Sequence, residues 1–283
     1  MISHKLKIIL DGTVLGMAID NKLARTGIYF VIKNLCDSLL LRNDLEFKIL
    51  APVELRKKMI SFYSNHRFEE CFDLTNVKLG EEKLNFIMPF HPAGQDLYKI
   101  PESNIFQIIY DFSIHFCPEL KGSNISFEKN ILKSLNSKSH ALCISKKTRS
   151  DLLSISNIEP NKVGVFYPGL RNDFDKNYKT KIDINKFLNI PENSKYILCL
   201  STLEPRKNLR TSIEIFERMI LNSNFDNLYL VLTGAKGWGK IDEQINTFSN
   251  KIKKKIIITG YVDDNIVYHL YKSSLCFLYP SFY

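Results

Sequence analysis

Two adjacent cations, Arg206 and Lys207, follow the apolar run 196–200 in the segment STLEPRKNL. The run has the composition of a buried strand, and residues 208–220 have the apolar spacing of an amphipathic helix. Cations are mildly unfavourable where a helix begins, because the helix dipole attracts anions there. An arginine fork and a mobile lysine ammonium together suit the oxygens of a diphosphate. The pattern therefore indicates a phosphate site; the alternative is a surface pair that binds Glu204 or a neighbouring carboxylate.

Glycine and aspartate residues stand at other strand ends. Gly27 opens a helix after a polar loop that we expect to begin at Gly16. Glycine there either serves as a loop end or cap, or lets a phosphate approach the N–H groups of the helix. Gly234 lies in TGAKGWG, where a tight turn is the simpler interpretation. Asp111 ends IFQIIYD and could orient a sugar hydroxyl or cap a helix.

Tyr261 and Val262 follow another strand-like run and could hold a nucleobase with their backbone groups, or form an ordinary loop. His115 could be a general base, although a lone histidine in an apolar segment is more often structural. The sequence has no Ser/His/Asp arrangement and no metal-ligand spacing. Its six cysteines are scattered without a CxxC pair, so neither a disulfide framework nor a zinc site is indicated.

Short apolar runs alternate with helix-period segments along the whole chain. Most of the runs lack period-two alternation, which indicates strands of parallel sheets buried on both faces. This alternation predicts an α/β fold of two Rossmann-like, doubly wound domains. A polar stretch at 171–187 separates them, and we predict domains at 1–178 and 179–283. The predicted strands are 6–10, 47–51, 84–88, 105–110, 141–145, 163–167, 196–200, 228–234, 255–260 and 275–279, and the clearest helices are 27–42, 126–135 and 208–220.

Composition places the chain among globular proteins: 283 residues, 45% hydrophobic and 24% charged. The apolar run near the N-terminus is too short for the core of a signal peptide, so we expect a cytoplasmic protein. The net charge of +9 comes from lysines spread along the chain, with one dense cluster at 251–255. That cluster precedes IIIT and is typical of the polar end of a helix, so nucleic-acid binding is not favoured. A basic face could still contact anionic lipid headgroups or an anionic substrate.

Six segments in order resemble the retaining GT-B glycosyltransferases, in particular bacterial mannosyltransferases of polysaccharide assembly. LSTLEPRKNL resembles the segment that places an arginine and a lysine on the donor diphosphate. The other five are RTGIYFVIKNL, CISKKTRSDLL, VFYPGL, LVLTGAKGWG and IIITGYVDDNIVYHLYKSSLCFLYPSFY. The resemblance covers nearly the whole chain and implies two domains that face each other across a cleft.

The resemblance implies transfer of a sugar from a nucleotide donor, with retention of the anomeric configuration and with no metal or other cofactor. Arg206, Lys207 and Asp111 would be catalytic, the two cations by stabilising charge on the leaving diphosphate. Gly27 and Gly234 would lie in the donor site, and Tyr261 and Val262 would hold the base. GDP-mannose is the expected donor, and a saccharide or lipid-linked molecule the expected acceptor, with peripheral membrane contact.

The sequence departs from the family in two places. Tyr110 stands where many relatives have a histidine before the aspartate. Relatives also continue directly after PSFY with Glu-Gly-Phe-Gly and a second glutamate seven residues beyond the first. We therefore expect residues 1–283 to hold an incomplete second domain and to have little activity alone. The alternative is a non-catalytic protein that acts as a binding or partner subunit.

Overall fold

The computed structural model contains two compact units, Met1–Arg171 and Asn172–Tyr283, and each is described by itself. The predicted domain boundary between residues 178 and 179 lies outside the described residues, and so does Trp238. The structure describes residues 5–21, 24–50, 55, 58–59, 71–72, 83–89, 103–117, 125–135, 138–170, 181–222, 225–237 and 240–283.

Every apolar run that the sequence predicts as a strand contains one, and a short strand, Cys71–Phe72, is additional. The strands are β1 (Leu6–Asp11), β2 (Leu45–Leu50), β3 (Cys71–Phe72), β4 (Asn85–Met88), β5 (Asn104–Ile109), β6 (Ser139–Cys143), β7 (Val163–Val165), β8 (Lys195–Leu200), β9 (Leu228–Thr233), β10 (Ile256–Gly260) and β11 (Cys276–Phe277).

The described helices alternate with these strands, and the three helices predicted with most detail are all present. The helices are α1 (Thr13–Asp20), α2 (Gly27–Leu40), α3 (Ser113–Phe116), α4 (Ile125–Ser134), α5 (Lys146–Ile155), α6 (Ile184–Phe187), α7 (Leu209–Asn222), α8 (Ile241–Asn246), α9 (Asn250–Lys253) and α10 (Asp264–Ser273). The lysine cluster at 251–255 spans the end of α9 and the turn into β10, as predicted. Among the described residues, no helix combines the length and the apolar character that crossing a bilayer would require.

The first unit is built on a seven-stranded parallel sheet in the order β3-β2-β1-β4-β5-β6-β7. Successive strand residues face opposite sides of a sheet, and both sides are buried here. Leu10 belongs to a cluster that includes Ile32 of α2, whereas its neighbour Ile9 packs with Phe86 and Ile105. The strand order reverses between β1 and β4, the point where ligands bind in open α/β sheets.

The second unit is built on a four-stranded parallel sheet in the order β10-β9-β8-β11. One side of the sheet packs against α7 through Phe216, and the other packs against α10 through Leu270. Burial on both faces explains why β8 and β9 read as continuous apolar runs. The order reverses between β8 and β11, so the carboxyl ends of these two strands are where a ligand is expected.

Two predictions about local structure are wrong. The polar loop expected from Gly16 is instead the second half of α1, whose Val14, Leu15 and Ala18 are buried. Glycine is favoured there because a Cβ atom on Gly16 would lie 2.8 Å from Cδ1 of Leu55.

The second wrong prediction concerns β11. The structure pairs β11 with β8, and both of its residues are exposed, so burial on both faces does not extend to it. Its run is also shorter than the predicted 275–279. Cys276 on this strand is exposed.

Candidate functional site

The predicted cation pair lies at the switch point of the second sheet. A segment that we call the cationic turn, residues 204–208, connects the end of β8 to α7. Pro205–Lys207 form a 3-10 helix, and Asn208 follows in the left-handed region at φ 54° and ψ 40°. Asparagine tolerates this region better than most residues, and its Oδ1 accepts a 2.8 Å hydrogen bond from Thr211 of α7. The turn therefore delivers both cations at a fixed point before α7.

A second segment, residues 278–283, holds the cationic turn from the other side; we call it the return segment. The carbonyl oxygen of Arg206 accepts hydrogen bonds from the Phe282 backbone N–H at 3.0 Å and from Ser281 Oγ at 3.1 Å. Asn208 Nδ2 donates to the Pro280 carbonyl at 3.1 Å. The backbone of the turn is thus fixed by residues more than seventy positions away in sequence.

Each cation has a different partner. Arg206 Nη2 donates to Glu204 Oε1 at 2.5 Å, so the ion pair considered as the alternative from sequence does form. Lys207 Nζ donates to the Tyr279 hydroxyl at 2.5 Å and lies 5.0 Å from the centre of that ring. A guanidinium has five N–H donors and an ammonium three, so each cation keeps donors beyond these bonds. The turn can therefore bind an anion without breaking its own contacts.

Two glycines bring the loop after β9 against the residues that precede the turn. Gly234 has φ +142°, and a Cβ atom there would lie 1.9 Å from the carbonyl oxygen of Ser201. A Cβ atom on Gly237 would lie 2.7 Å from the carbonyl oxygen of Leu203. Gly234 thus packs closely against the backbone that leads into the cationic turn, and its predicted role in the donor site stays a prediction.

Tyr261 and Val262 follow β10 on the same unit. Gly260 has φ +70°, which turns the chain there, and Tyr261 is exposed. The Val262 side chain packs against the cluster that contains Leu198 and Leu270. A role for this pair in holding a base through backbone groups stays a prediction.

Gly27 lies in the first unit as the first residue of α2. The residue before it, Thr26, makes no side-chain capping bond to the helix. Within the part of the chain that the structure describes, a Cβ atom on Gly27 would have no heavy atom within 4 Å. The described residues therefore leave space at the start of α2, as a phosphate contact there requires.

Asp111 follows β5 in the first unit and has the geometry of a cap. Its Oδ1 accepts from the Ser113 backbone N–H at 3.1 Å and from Ser113 Oγ at 2.8 Å. Glu128 of α4 accepts from the next two N–H groups, those of Ile114 and His115, at 3.0 and 3.3 Å. Burial raises the pKa of Glu128, and the nearby Asp111 charge raises it further. His115 itself is exposed, so it is not a buried structural histidine.

Asp11 at the end of β1 repeats the arrangement of Asp111. Its Oδ1 accepts from Thr13 N at 2.9 Å and from Thr13 Oγ1 at 2.6 Å. The side chain is buried, and this burial raises its pKa. An Asp-x-Thr or Asp-x-Ser pattern directly after an apolar run is the signal that could have identified both caps from sequence.

Tyr279 and Glu128 gave no comparable signal in the sequence. Tyr110 is half-buried, and burial raises the pKa of its hydroxyl. In the second unit the structure places Gly234 beside Ser201, which precedes Arg206 and Lys207 in sequence, whereas Gly27 and Asp111 belong to the first unit. Among the described residues, no group of three His, Cys, Asp or Glu side chains could hold a metal ion.

Comparison with known proteins finds similarity to glycosyltransferases. Residues 180–283 match the family described as glycosyl transferases group 1. The chain is 26% identical over 185 residues to O-antigen chain mannosyltransferase B of Escherichia coli, which covers 62% of this chain and 46% of that protein. The chain spans less than half the length of the curated relatives it matches.

Solved structures show the same fold at low identity. Sucrose-phosphate synthase from Thermosynechococcus elongatus aligns with a TM-score of 0.61 and 12% identity over 99% of this chain and 76% of its own. Anabaena Alr3699/HepE in complex with UDP and glucose aligns with a TM-score of 0.60 and 14% identity over 98% and 74%. These likenesses confirm the predicted fold class, an α/β fold whose two units have Rossmann-like parallel sheets. Residues 180–283 are thus similar to the glycosyl transferases group 1 family.

Proposed function

We propose that this protein transfers a hexose from a nucleotide sugar to a saccharide or lipid-linked acceptor, with retention, in cell-surface polysaccharide synthesis. The observation that carries the proposal is the cationic turn, which presents Arg206 and Lys207 at the switch point of a sheet within the matched family domain. The reaction would take place in the cytoplasm or at the inner face of the membrane, where the net positive charge favours anionic headgroups.

In this proposal the two cations act on the leaving group. Negative charge grows on the nucleoside diphosphate as its bond to the sugar breaks, and preorganised cations stabilise that charge most in the transition state. A guanidinium and an ammonium would do this without a metal. Gly27 would admit the donor phosphates to the start of α2, and the Tyr261–Val262 backbone would hold the base. Asp111 would orient a hydroxyl of the transferred sugar.

GDP-mannose is the proposed donor because the curated relative from Escherichia coli is named as a mannosyltransferase. A UDP-sugar is the competing donor, since the Anabaena structure contains UDP and glucose. The described residues do not separate the two bases, so both belong in the same experiment.

Calorimetry with the 283-residue chain tests the diphosphate site. We expect GDP or UDP to bind more tightly than guanosine or uridine, because the cations contact phosphate. Arg206→Ala removes charge-assisted hydrogen bonds and should weaken the diphosphate by about 10- to 100-fold while leaving the nucleoside unchanged. Arg210→Ala is the matched control, because this arginine is exposed on α7 and pairs with Glu214 at 2.8 Å. Equal affinity for diphosphate and nucleoside would refute the site.

A transfer assay tests the chemistry. GDP-mannose and UDP-glucose are supplied with oligosaccharide acceptors, with and without a chelator, and the anomeric configuration of the product is read by NMR. We expect transfer from GDP-mannose with retention and no loss of rate in chelator. Inversion, or a strict need for a divalent ion, would contradict the proposed mechanism.

A second candidate function is that of a binding or partner subunit, and the exposed edge of the second sheet favours it. Phe277 and Leu275 are 44% and 55% exposed at β11, although strands of parallel sheets are usually buried. In that case the chain would bind nucleotide weakly and turn over only when a second polypeptide is added. Robust transfer by the chain alone would eliminate this candidate.

A further inference from the structure

The Lys207 ammonium is held in place by one aromatic side chain of the return segment. We propose that Tyr279 is a positioning residue that orients Lys207 toward the donor diphosphate. This inference rests on the proposed function, because it gives Tyr279 its role through a phosphate-binding lysine.

Two contacts define the pair. The Tyr279 hydroxyl accepts a 2.5 Å hydrogen bond from Lys207 Nζ, and the same ammonium lies 5.0 Å from the ring centre. A lysine side chain has four rotatable bonds above its Cα, so an unrestrained ammonium samples many positions. The hydroxyl acceptor restricts it, and does so without cancelling its charge.

The tyrosine is itself fixed. Its ring stacks on Phe277 at 5.7 Å with an interplanar angle of 25°, and Phe277 in turn meets Tyr271 edge-on at 5.2 Å. The residues that follow Tyr279 are hydrogen-bonded to the cationic turn: the Pro280 carbonyl accepts from Asn208, and Ser281 and Phe282 donate to the Arg206 carbonyl. Tyr279 can therefore hold Lys207 because its own position is set by the sheet edge and the return segment.

Restriction before binding improves affinity. Ordering a long side chain on binding costs conformational entropy, and a lysine that is already ordered avoids most of that cost. One ammonium hydrogen remains on the tyrosine oxygen, and two stay available for phosphate oxygens. Tyr279→Phe, which keeps the ring and removes the hydroxyl, should therefore weaken GDP or UDP binding by about three- to tenfold.

Tyr229→Phe is the matched control for this change. Tyr229 lies on β9 of the same unit, and Lys255 Nζ lies 5.1 Å from its ring centre. The control thus removes a hydroxyl from another lysine–tyrosine pair, distant in sequence from the cationic turn. Its diphosphate affinity should equal that of the unmodified chain.

A double-mutant cycle tests whether Tyr279 acts through Lys207. Lys207→Met alone should weaken the diphosphate strongly, and adding Tyr279→Phe to it should then cost nothing more. Nucleoside affinity should be unchanged in all four proteins. An equal loss from Tyr279→Phe with and without Lys207 would overturn the proposal, because it would mean that the hydroxyl contacts the ligand or the fold directly.

A measurement without nucleotide separates this inference from the proposed function. Lys207 is acetylated with a soluble amine-reactive acetylating reagent, and the reaction is followed by peptide mass spectrometry. The acetylation rate of Lys207 should rise several-fold in Tyr279→Phe and stay constant in Tyr229→Phe. If the diphosphate does not bind but this rate rises, the proposed function fails and the restraint on Lys207 stands. An unchanged rate, or tighter diphosphate binding by Tyr279→Phe, would overturn the role of Tyr279.

Discussion

Gly234→Ala should lower the free energy of unfolding of the second unit more than an alanine at any other described glycine of that unit. Gly234 combines two requirements: a backbone φ of +142°, and a Cβ position 1.9 Å from the Ser201 carbonyl oxygen. The Ser201 backbone N–H also donates to the Thr233 carbonyl at 2.9 Å, so the segments that follow β8 and β9 are already hydrogen-bonded next to Gly234. The alanine methyl must therefore push apart the carboxyl ends of β8 and β9.

The two requirements can be costed separately. A non-glycine residue held at an unfavourable positive φ costs about 1–3 kcal/mol. Forcing a methyl group into packed backbone costs a further amount of about 1–3 kcal/mol, because the neighbours must move by about 1 Å. We therefore expect Gly234→Ala to lower the free energy of unfolding of the second unit by about 2–6 kcal/mol.

Two other glycines isolate the parts of this sum. Gly260 has φ +70°, and no heavy atom of the described residues lies within 4 Å of a Cβ atom built on it, so Gly260→Ala tests strain alone. Gly237 has no positive φ but places a Cβ atom 2.7 Å from the Leu203 carbonyl oxygen, so Gly237→Ala tests crowding alone. Each should cost about 1–3 kcal/mol.

Urea unfolding followed by tryptophan fluorescence measures these differences in one unit. The only tryptophan, Trp238, belongs to residues 172–283, so its emission reports on the second unit. GDP binding by the folded variants adds a functional reading, since movement of Ser201 displaces the residues that lead into the cationic turn. The reasoning is refuted if Gly234→Ala unfolds at the same urea concentration as Gly260→Ala.

Two further predictions concern the buried carboxylates of the first unit. Burial raises the pKa of Asp11 above its ordinary 3.8, so the folded state binds this proton more tightly than the unfolded state does, and the free energy of unfolding should fall as pH rises through the folded pKa. Asp11→Asn keeps an acceptor for Thr13 and should remove this pH dependence. Identical pH profiles for the two proteins would contradict the burial argument. Glu128→Ala should speed amide hydrogen exchange at Ile114 and His115 by about five- to tenfold, since each N–H loses its acceptor. Glu128→Gln retains a carbonyl acceptor and should leave the exchange rates unchanged. Equal exchange rates in both variants would show that the carboxylate does not cap this segment.

The sequence predicts the elements well because buried parallel strands carry a signal of their own. Both faces of β8 and β9 are covered, so these strands appear as unbroken apolar runs. β3 has only two residues and gives no pattern, and β11 is apolar without being buried. Gly16 misled the prediction because glycine usually marks a loop, whereas here it allows α1 to pack closely on Leu55.

The sequence predicts the two cations of the candidate site but not the residue that contacts Lys207. The types and order of Arg206 and Lys207 are local and visible, and so is the ion pair with Glu204 two residues away. The partner of Lys207 is Tyr279, 72 positions further on, in a run whose pattern indicates only a strand. Contacts of this separation depend on strand order, and the placement of β11 beside β8 cannot be inferred from periodicity.

The difference between the two partners determines how the cationic turn can act. Glu204 pairs with Arg206 and cancels its formal charge, so Arg206 offers direction through its remaining donors more than net attraction. Among the described residues, Lys207 lies within ion-pair distance of no carboxylate, and its hydroxyl partner leaves its charge intact. We infer that Lys207 supplies most of the attraction for a diphosphate and Arg206 most of its orientation. Binding to Lys207→Met should therefore lose much of its salt dependence, because the remaining Glu204–Arg206 pair has no net charge. The double variant Glu204→Gln/Arg206→Gln removes both members of that pair, leaves the charge of Lys207 in place, and should keep the salt dependence.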